Sequence, residues 1–249
     1  MAAESLQETR EWLLKPSQWD ENKGDPGFSD ARLADVQFAT AMIAALDIPQ
    51  IQRLEALKQA AWRVAGQQAP DGSWPVGPPS TPGSPATYGT PLATHLAVQV
   101  LRRVDAIQHA EAIQRGQAWL RAIKPSSVLD AAVLLLALRN EPDSEAVTKQ
   151  KTAFELLRRA QTSDGGWGPY PDSPPESFDT ALALLALQPL HAWPGVGEMS
   201  RRGRQFLIAT QQPDGSWPAT TRPAGGESYA QMMSTTGWAT LALLDTAHD

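Results

Sequence analysis

Apolar positions along the chain recur at helical spacing, and the stretches that carry them alternate between two kinds. One kind is amphipathic with charge on one face, near 3–14, 50–66, 107–123, 144–161 and 197–211. The other is almost wholly apolar and rich in Ala and Leu, near 32–46, 90–104, 128–139, 178–190 and 231–246. A helix that is hydrophobic all round is buried on all sides, so the second kind is expected inside and the first outside. Period-2 alternation is nowhere sustained, and strands are expected to be few. Pro and Gly gather in the connections 68–91, 162–176 and 212–228. These are long for inter-helix loops, and loops of such length are functional or lid-like. Ser127 and Ser177 stand where helix N-caps belong, and Asp130 follows Ser127 at capping-box spacing. Asp179 falls in the first turn of its helix, where a carboxylate meets the positive end of the dipole.

The connections contain a repeated phrase. Asp71-Gly72-Ser73-Trp74, Asp164-Gly165-Gly166-Trp167 and Asp214-Gly215-Ser216-Trp217 are three copies of Asp-Gly-x-Trp. A glutamine precedes each, read as Gln67, Gln161 and Gln211, and a large apolar residue lies before that at Trp62, Leu156 or Phe206. Arg115-Gly116-Gln117-Ala118-Trp119-Leu120 preserves the first half of a further copy, and a degenerate one surrounds Trp12 and Trp19. The anchors Trp12, Trp62, Trp119, Leu156 and Phe206 recur every ~35–57 residues, the period of a helical-hairpin array. The expected architecture is all-α: five to six helical hairpins in one α/α toroid spanning 1–249, with an inner apolar ring and an outer amphipathic ring. Residues 1–49 are its most divergent part.

Composition removes several functions. There is no cysteine among the 249 residues, which excludes disulfides, thiolate nucleophiles and Cys-ligated zinc or iron–sulfur centres. His109, His191 and His248 do not fall at metal-ligand spacing, so no metal or cofactor is expected. The net charge of −6 comes with no basic block, leaving no electrostatic footprint for a nucleic acid. No apolar run reaches the ~18 residues of a membrane span, and Met1–Leu14 lacks the apolar region of a signal peptide. A cytoplasmic protein is expected on these grounds, with peripheral membrane association as the alternative. P-loop, Gly-x-Ser-x-Gly, Gly-x-Gly-x-x-Gly and His-Glu-x-x-His motifs are absent.

The run from Arg202 to Trp217 (RGRQFLIATQQPDGSW) resembles the QW repeat of squalene–hopene and oxidosqualene cyclases, which reads basic, Gly, aromatic, Leu, Gln and then Gly-x-Trp. The resemblance covers about residues 50–247. It implies the terpenoid-cyclase toroid, with the repeat glutamines and tryptophans (Gln67, Trp74, Gln161, Trp167, Gln211, Trp217) tying hairpins together. It also implies where a cyclase acid would stand, in an Asp-x-Asp-Asp-Thr-Ala motif whose middle Asp protonates an alkene. In Ser127-Val128-Leu129-Asp130-Ala131-Ala132 that place holds Leu129, and in Glu176-Ser177-Phe178-Asp179-Thr180-Ala181 it holds Phe178. Zinc-dependent prenyltransferase β subunits and lanthionine cyclases share the toroid but need a cysteine, and class I terpene synthases need an Asp-rich magnesium motif; this chain has neither.

Two functional readings follow. The first is a cyclase-like binding or scaffold module with an apolar pocket for an isoprenoid-like lipid, or a surface for a protein partner or second toroid. The second is a diverged cyclase or isomerase with Asp130 or Asp179 as general acid, its pKa raised by an apolar ring. Aligning the inner helices makes Asp130 and Asp179 equivalent and places them with Thr90 and Thr235 toward one rim. Tyr88, His95, Tyr170, Tyr229 and Trp238 are the candidate ligand-binding residues, because aromatics near such a mouth stabilise isoprenoids and cations.

Overall fold

The alternation of helix types persists through the structure. The computed structural model describes residues 2–21, 31–45, 54–77, 82–222 and 227–247. In chain order the helices are α1 (Ala2–Leu13), α2 (Ala31–Ala45), α3 (Leu54–Gly66), α4 (Thr90–Asp105), α5 (Ala110–Ala122), α6 (Val128–Leu138), α7 (Ser144–Ala160), α8 (Ser177–Leu187), α9 (Val196–Thr210) and α10 (Tyr229–Asp245). Odd-numbered helices are the amphipathic kind and α2, α6, α8 and α10 the apolar kind; α4, expected to be apolar, is amphipathic, with Arg102, Arg103 and Asp105 exposed at its end. Among the described residues β pairing is limited to one isolated bridge, Trp167 with Glu176. No described helix is long and apolar enough to cross a membrane. The expected helix start at 50 lies outside the described residues.

The chain forms two compact units, residues 1–77 with 93–120, and residues 78–92 with 121–249. In the first, α2 packs on α3, and Trp19 is buried against the ring of Phe38. The buried Asp35 on α2 accepts from Arg63 Nε at 2.9 Å and from Gln67 Nε2 at 2.5 Å. In the second unit α8 is central, packing on α6, α9 and α10, while α7 covers α6. Ala181, Leu184, Leu207, Trp217, Ala239 and Ala242 form one buried cluster there.

Helix α6 is capped as its sequence predicts: Ser127 Oγ accepts from Asp130 N, and Asp130 Oδ2 accepts from Ser127 N. Helix α8 is not. Its N-cap is Glu176, one residue before the expected Ser177, and no side chain caps it. Glu176 N donates instead to Trp167 O in the bridge, and its carboxylate is drawn to Arg222. The expectation of all-round burial holds for α6 and α8 but fails for α10, where only Gln231, Thr235, Ala239 and Ala242 are buried. One side of α10 meets α8, and the other leaves Tyr229, Met233, Leu241 and Leu244 exposed.

Each Asp-Gly-x-Trp loop closes with the same hydrogen bonds. The indole Nε1 of Trp74, Trp167 and Trp217 donates to a carbonyl in the last turn of the preceding helix, Val64, Leu157 or Leu207, at 2.6, 2.7 and 2.8 Å. Those carbonyls lie among the last four of their helices, whose acceptors the helix itself leaves open. The tryptophan N–H donates to a threonine on the next apolar helix, Thr94, Thr180 or Thr236. The loop glycines Gly72, Gly165 and Gly215 all have φ near +90°, at 95°, 91° and 88°, a region glycine enters without steric cost. The repeat glutamine donates four residues ahead, to Gly72 O, Gly165 O or Gly215 O. In the first copy this residue is Gln68, one past the expected Gln67, because the four-residue reach selects it; Gln67 serves Asp35 instead.

The first two loops are each covered by the next amphipathic helix. A Cβ on Gly116 would meet Val98 at 2.6 Å and the Trp74 ring at 3.1 Å, and one on Gly203 would meet the Trp167 ring at 2.6 Å and Leu184 at 3.0 Å. These glycines let a tryptophan lie directly on helix backbone. Gly203→Ala is therefore expected to lose about 1–2 kcal/mol in urea unfolding, overpacking outweighing the gain in helix propensity. Gly237→Ala, where a Cβ meets nothing within 4 Å, is expected to gain about 0.5–1 kcal/mol in the same measurement.

Candidate functional site

Three segments of the second unit converge on the start of α8. Asp179, in its first turn, is fully buried. Arg222, from the connection that precedes α10, donates through Nη2 to Asp179 Oδ2 at 2.9 Å and through Nη1 to Glu176 Oε2 at 2.5 Å. The same guanidinium donates from Nε and Nη2 to Gly83 O, at 3.2 and 2.8 Å, in the segment that leads to α4. One nearly buried arginine thus holds two carboxylates and a backbone carbonyl. Asp179 Oδ1 is buried without a hydrogen-bond partner.

Desolvation pushes the Asp179 carboxyl up to about 7, against a lowering pull from Arg222 and a further raising push from Glu176. A buried carboxyl with a native value above its unfolded one near 3.8 binds more protons folded than unfolded between the two values. Its contribution to stability is then complete below pH ~4 and declines as pH rises to ~7. Asp179→Asn cannot ionise. Urea unfolding from pH 4 to 8 is expected to show wild-type stability falling relative to Asp179→Asn, by an amount on the order of 3 kcal/mol. Parallel curves would place the ionisation elsewhere.

Beside this clasp lies an aromatic cluster. Trp238 on α10 meets Tyr88 edge-to-face at 5.7 Å between ring centroids and Phe178 at 5.8 Å. Phe178, adjacent to Asp179, is fully buried. Among the described residues Tyr88 is the non-glycine residue with positive φ, at 57°, a conformation costing roughly 1–2 kcal/mol that surrounding contacts must hold. Those contacts are Tyr88 N donating to Ser84 O at 2.7 Å and Gly83 packed so tightly on the Tyr88 carbonyl that no Cβ fits. Burial raises the Tyr88 hydroxyl to about 12, so it stays a neutral donor across the working pH range. Thr235 Oγ1 accepts from Thr220 N at 3.1 Å, tying the Arg222 segment to α10.

The remaining sequence candidates are dispersed. Asp130 is partly buried, and its Oδ2 accepts from Ser126 N, Ser126 Oγ and Ser127 N, so its carboxylate is committed to the local turn. Asp130 and Asp179 share a place in the repeat but not an environment. Thr90 opens α4 as expected, whereas Thr235 lies in the second turn of α10. His95 is buried on α4 in the first unit. Tyr170 and Tyr229 are exposed and take no part in the cluster. No group of His, Asp and Glu suited to a metal occurs among the described residues. Sequence reasoning missed Arg222 and Glu176: a lone arginine in a Pro/Gly/Thr-rich connection belongs to no motif, and its partners lie far along the chain.

No family model and no curated protein matches this chain. Solved structures do. The type II terpene cyclase MstE from Scytonema, in a variant bound to geranylgeranyl dihydroxybenzoate as substrate, superposes with a TM-score of 0.54 at 22% identity over 86% of this chain. A second substrate-bound variant gives 0.55 at 20% identity over 88%, and a variant bound to the product merosterolic acid A gives 0.54 at 23% over 86%. The chain spans 63–64% of the length of those structures. At this identity the likeness shows the fold alone: this chain has a terpene-cyclase-like, all-α fold of the α/α-toroid class.

Proposed function

We propose that the protein is a terpene-cyclase-like binding module whose Tyr88–Trp238–Phe178 cluster contacts an isoprenoid-type lipid. The observation that carries this reading is Phe178. By the resemblance to the QW-repeat cyclases it stands where a cyclase acid would stand, and it is fully buried and packed edge-to-face on Trp238. An apolar ring there cannot donate a proton but adds to an apolar, π-rich surface. Tyr88, held in a costly backbone conformation by its hydrogen bond to Ser84 O and by the close packing of Gly83, completes that surface. Backbone strain of this kind gathers at ligand clamps and active sites.

A second reading has its own support. Asp179 is a buried carboxyl raised to about 7 with an oxygen left unpaired, the environment of a general acid. A raised pKa also makes a weaker acid, which works against protonating an isolated alkene, so binding is the better-supported function.

Titrating geranylgeraniol, squalene and geranylgeranyl dihydroxybenzoate against tryptophan fluorescence and thermal unfolding tests the proposal. At least one ligand is expected to bind, with Trp238→Ala weakening it about tenfold, the loss of one aromatic contact of ~1.4 kcal/mol. Absence of binding by all three sinks the lipid reading. New products that disappear in Asp179→Asn but persist in Asp130→Asn establish the enzymatic one.

A further inference from the structure

The three repeat loops are alike internally but not in what covers them. Gln68 Nε2, besides reaching Gly72 O, donates to Ala112 O of α5 at 2.8 Å, and Gln161 Nε2 likewise donates to Met199 O of α9 at 2.9 Å. Arg115 and Arg202 reach back from those helices to Gln68 Oε1 and to the carbonyls of Thr162 and Ser163. A Cβ on Gly72 or Gly165 would strike the carbonyl of that same arginine, at 2.5 and 2.6 Å. The aromatic three residues beyond each adjoining glycine closes the contact: the Trp119 indole bonds Asp71, and the Phe206 ring lies against Gly166. Arg-Gly-x-x-aromatic is therefore the half of the repeat that seals the preceding loop.

The third loop has no such cover. Among the described residues Gln211 Nε2 donates only to Gly215 O, and a Cβ on Gly215 would meet nothing within 4 Å. Gly215 is exposed where its counterparts Gly72 and Gly165 are buried, and Gln211 is exposed where Gln68 and Gln161 are half-buried. The hairpin that holds this loop, α9 and α10, also bares an apolar stripe. Tyr229 and Leu244 on α10 are 74% and 68% exposed, with Met233 and Leu241 about half exposed between them. No charged residue occurs between Glu227 and Asp245. Among the described residues of the unit α8 is flanked by apolar helices, α6 and α10, whereas the far side of α10 leaves Tyr229, Met233, Leu241 and Leu244 exposed.

We propose that the 211–217 loop and the bare side of α10 form one docking surface for a helical hairpin of a partner protein. The hairpin's first helix carries Arg-Gly-x-x-Trp or Arg-Gly-x-x-Phe, and its second is apolar. The interface continues the two already made inside this chain, with the partner's glycine over Trp217, its arginine at Gln211, and its apolar helix along Tyr229, Met233, Leu241 and Leu244. A second copy of this chain does not supply the hairpin, because both of its Arg-Gly-x-x-aromatic helices, α5 and α9, already close its own first and second loops.

The test is the full chain carrying a second copy of residues 188–247 after Asp249, which offers α9 and α10 as the probe hairpin. The melting temperature is expected to rise by roughly 3 °C or more, as for a repeat that gains a nearest-neighbour interface. Amide exchange at 211–217 is expected to slow about tenfold. Gly203→Leu in the appended copy alone should cancel both effects, and Met233→Glu with Leu241→Glu in the original α10 should do the same. Unchanged exchange at 211–217 with the appended hairpin helical by circular dichroism overturns the proposal. So does a dimer of the unextended chain in sedimentation that is lost in Leu241→Glu, since the stripe would then belong to a second copy.

Discussion

Arg222→Ala is expected to destabilise the protein by about 3–5 kcal/mol at pH 8, the cost of removing one partner from a buried ion pair. The side chain is 11% exposed and the Asp179 side chain 0%, so water replaces little of what is lost. Gly83 O loses both of its guanidinium donors at the same time. At pH 5 the penalty should shrink to about 1–3 kcal/mol, because Asp179 is already protonated and what disappears is the guanidinium's hydrogen bonding to Gly83 O, Glu176 and a neutral Asp179. Urea titrations of both proteins at the two pH values make the comparison. An equal loss at each pH would mean that Asp179 is not the group whose charge Arg222 compensates.

Trp167→Ala is the second large effect, expected to cost about 3–5 kcal/mol, the range for truncating a buried large aromatic. Trp167 is fully buried, its indole donates to Leu157 O, and its ring lies on the backbone at Gly203. Collapse cannot fill the space readily, since α8 and α9 meet around the ring through Leu184 and Gly203. The measurement is chemical unfolding followed by circular dichroism, with Trp167→Phe as the companion. Phe restores most of the volume but not the indole donor, so it should recover more than half of the loss. If Phe and Ala behave alike, the hydrogen bond to Leu157 carries the effect rather than the packing.

The hairpin alternation was legible because it is local: 3.6-residue periodicity separates α3, α5, α7 and α9 from α6 and α8 without knowledge of the partners. The glutamine register was legible too, from its distance to the tryptophan. Gln161 and Gln211 each stand six residues before their tryptophan, as Gln68 does before Trp74, while Gln67 stands seven before it. The chemistry of the candidate site was not legible in this way. Asp130 and Asp179 read alike along the chain, and only the segments facing them differ, two serines in one case and Arg222 in the other. The bare side of α10 was hidden for the same reason, since an Ala/Leu-rich sequence states that a helix needs cover without stating whether cover arrives.

The clasp at Gly83 also bears on how the chain folds. Most hairpin contacts join neighbours in sequence, whereas Arg222 and Gly83 are 139 residues apart. Closing so long a loop carries an entropic cost that is repaid only once the intervening helices are in place. The arginine should therefore dock late, after the transition state. Its removal would leave the refolding rate nearly unchanged and appear in stopped-flow traces as faster unfolding. A contact of that kind acts as a kinetic lock, lengthening the lifetime of the native state without helping to reach it.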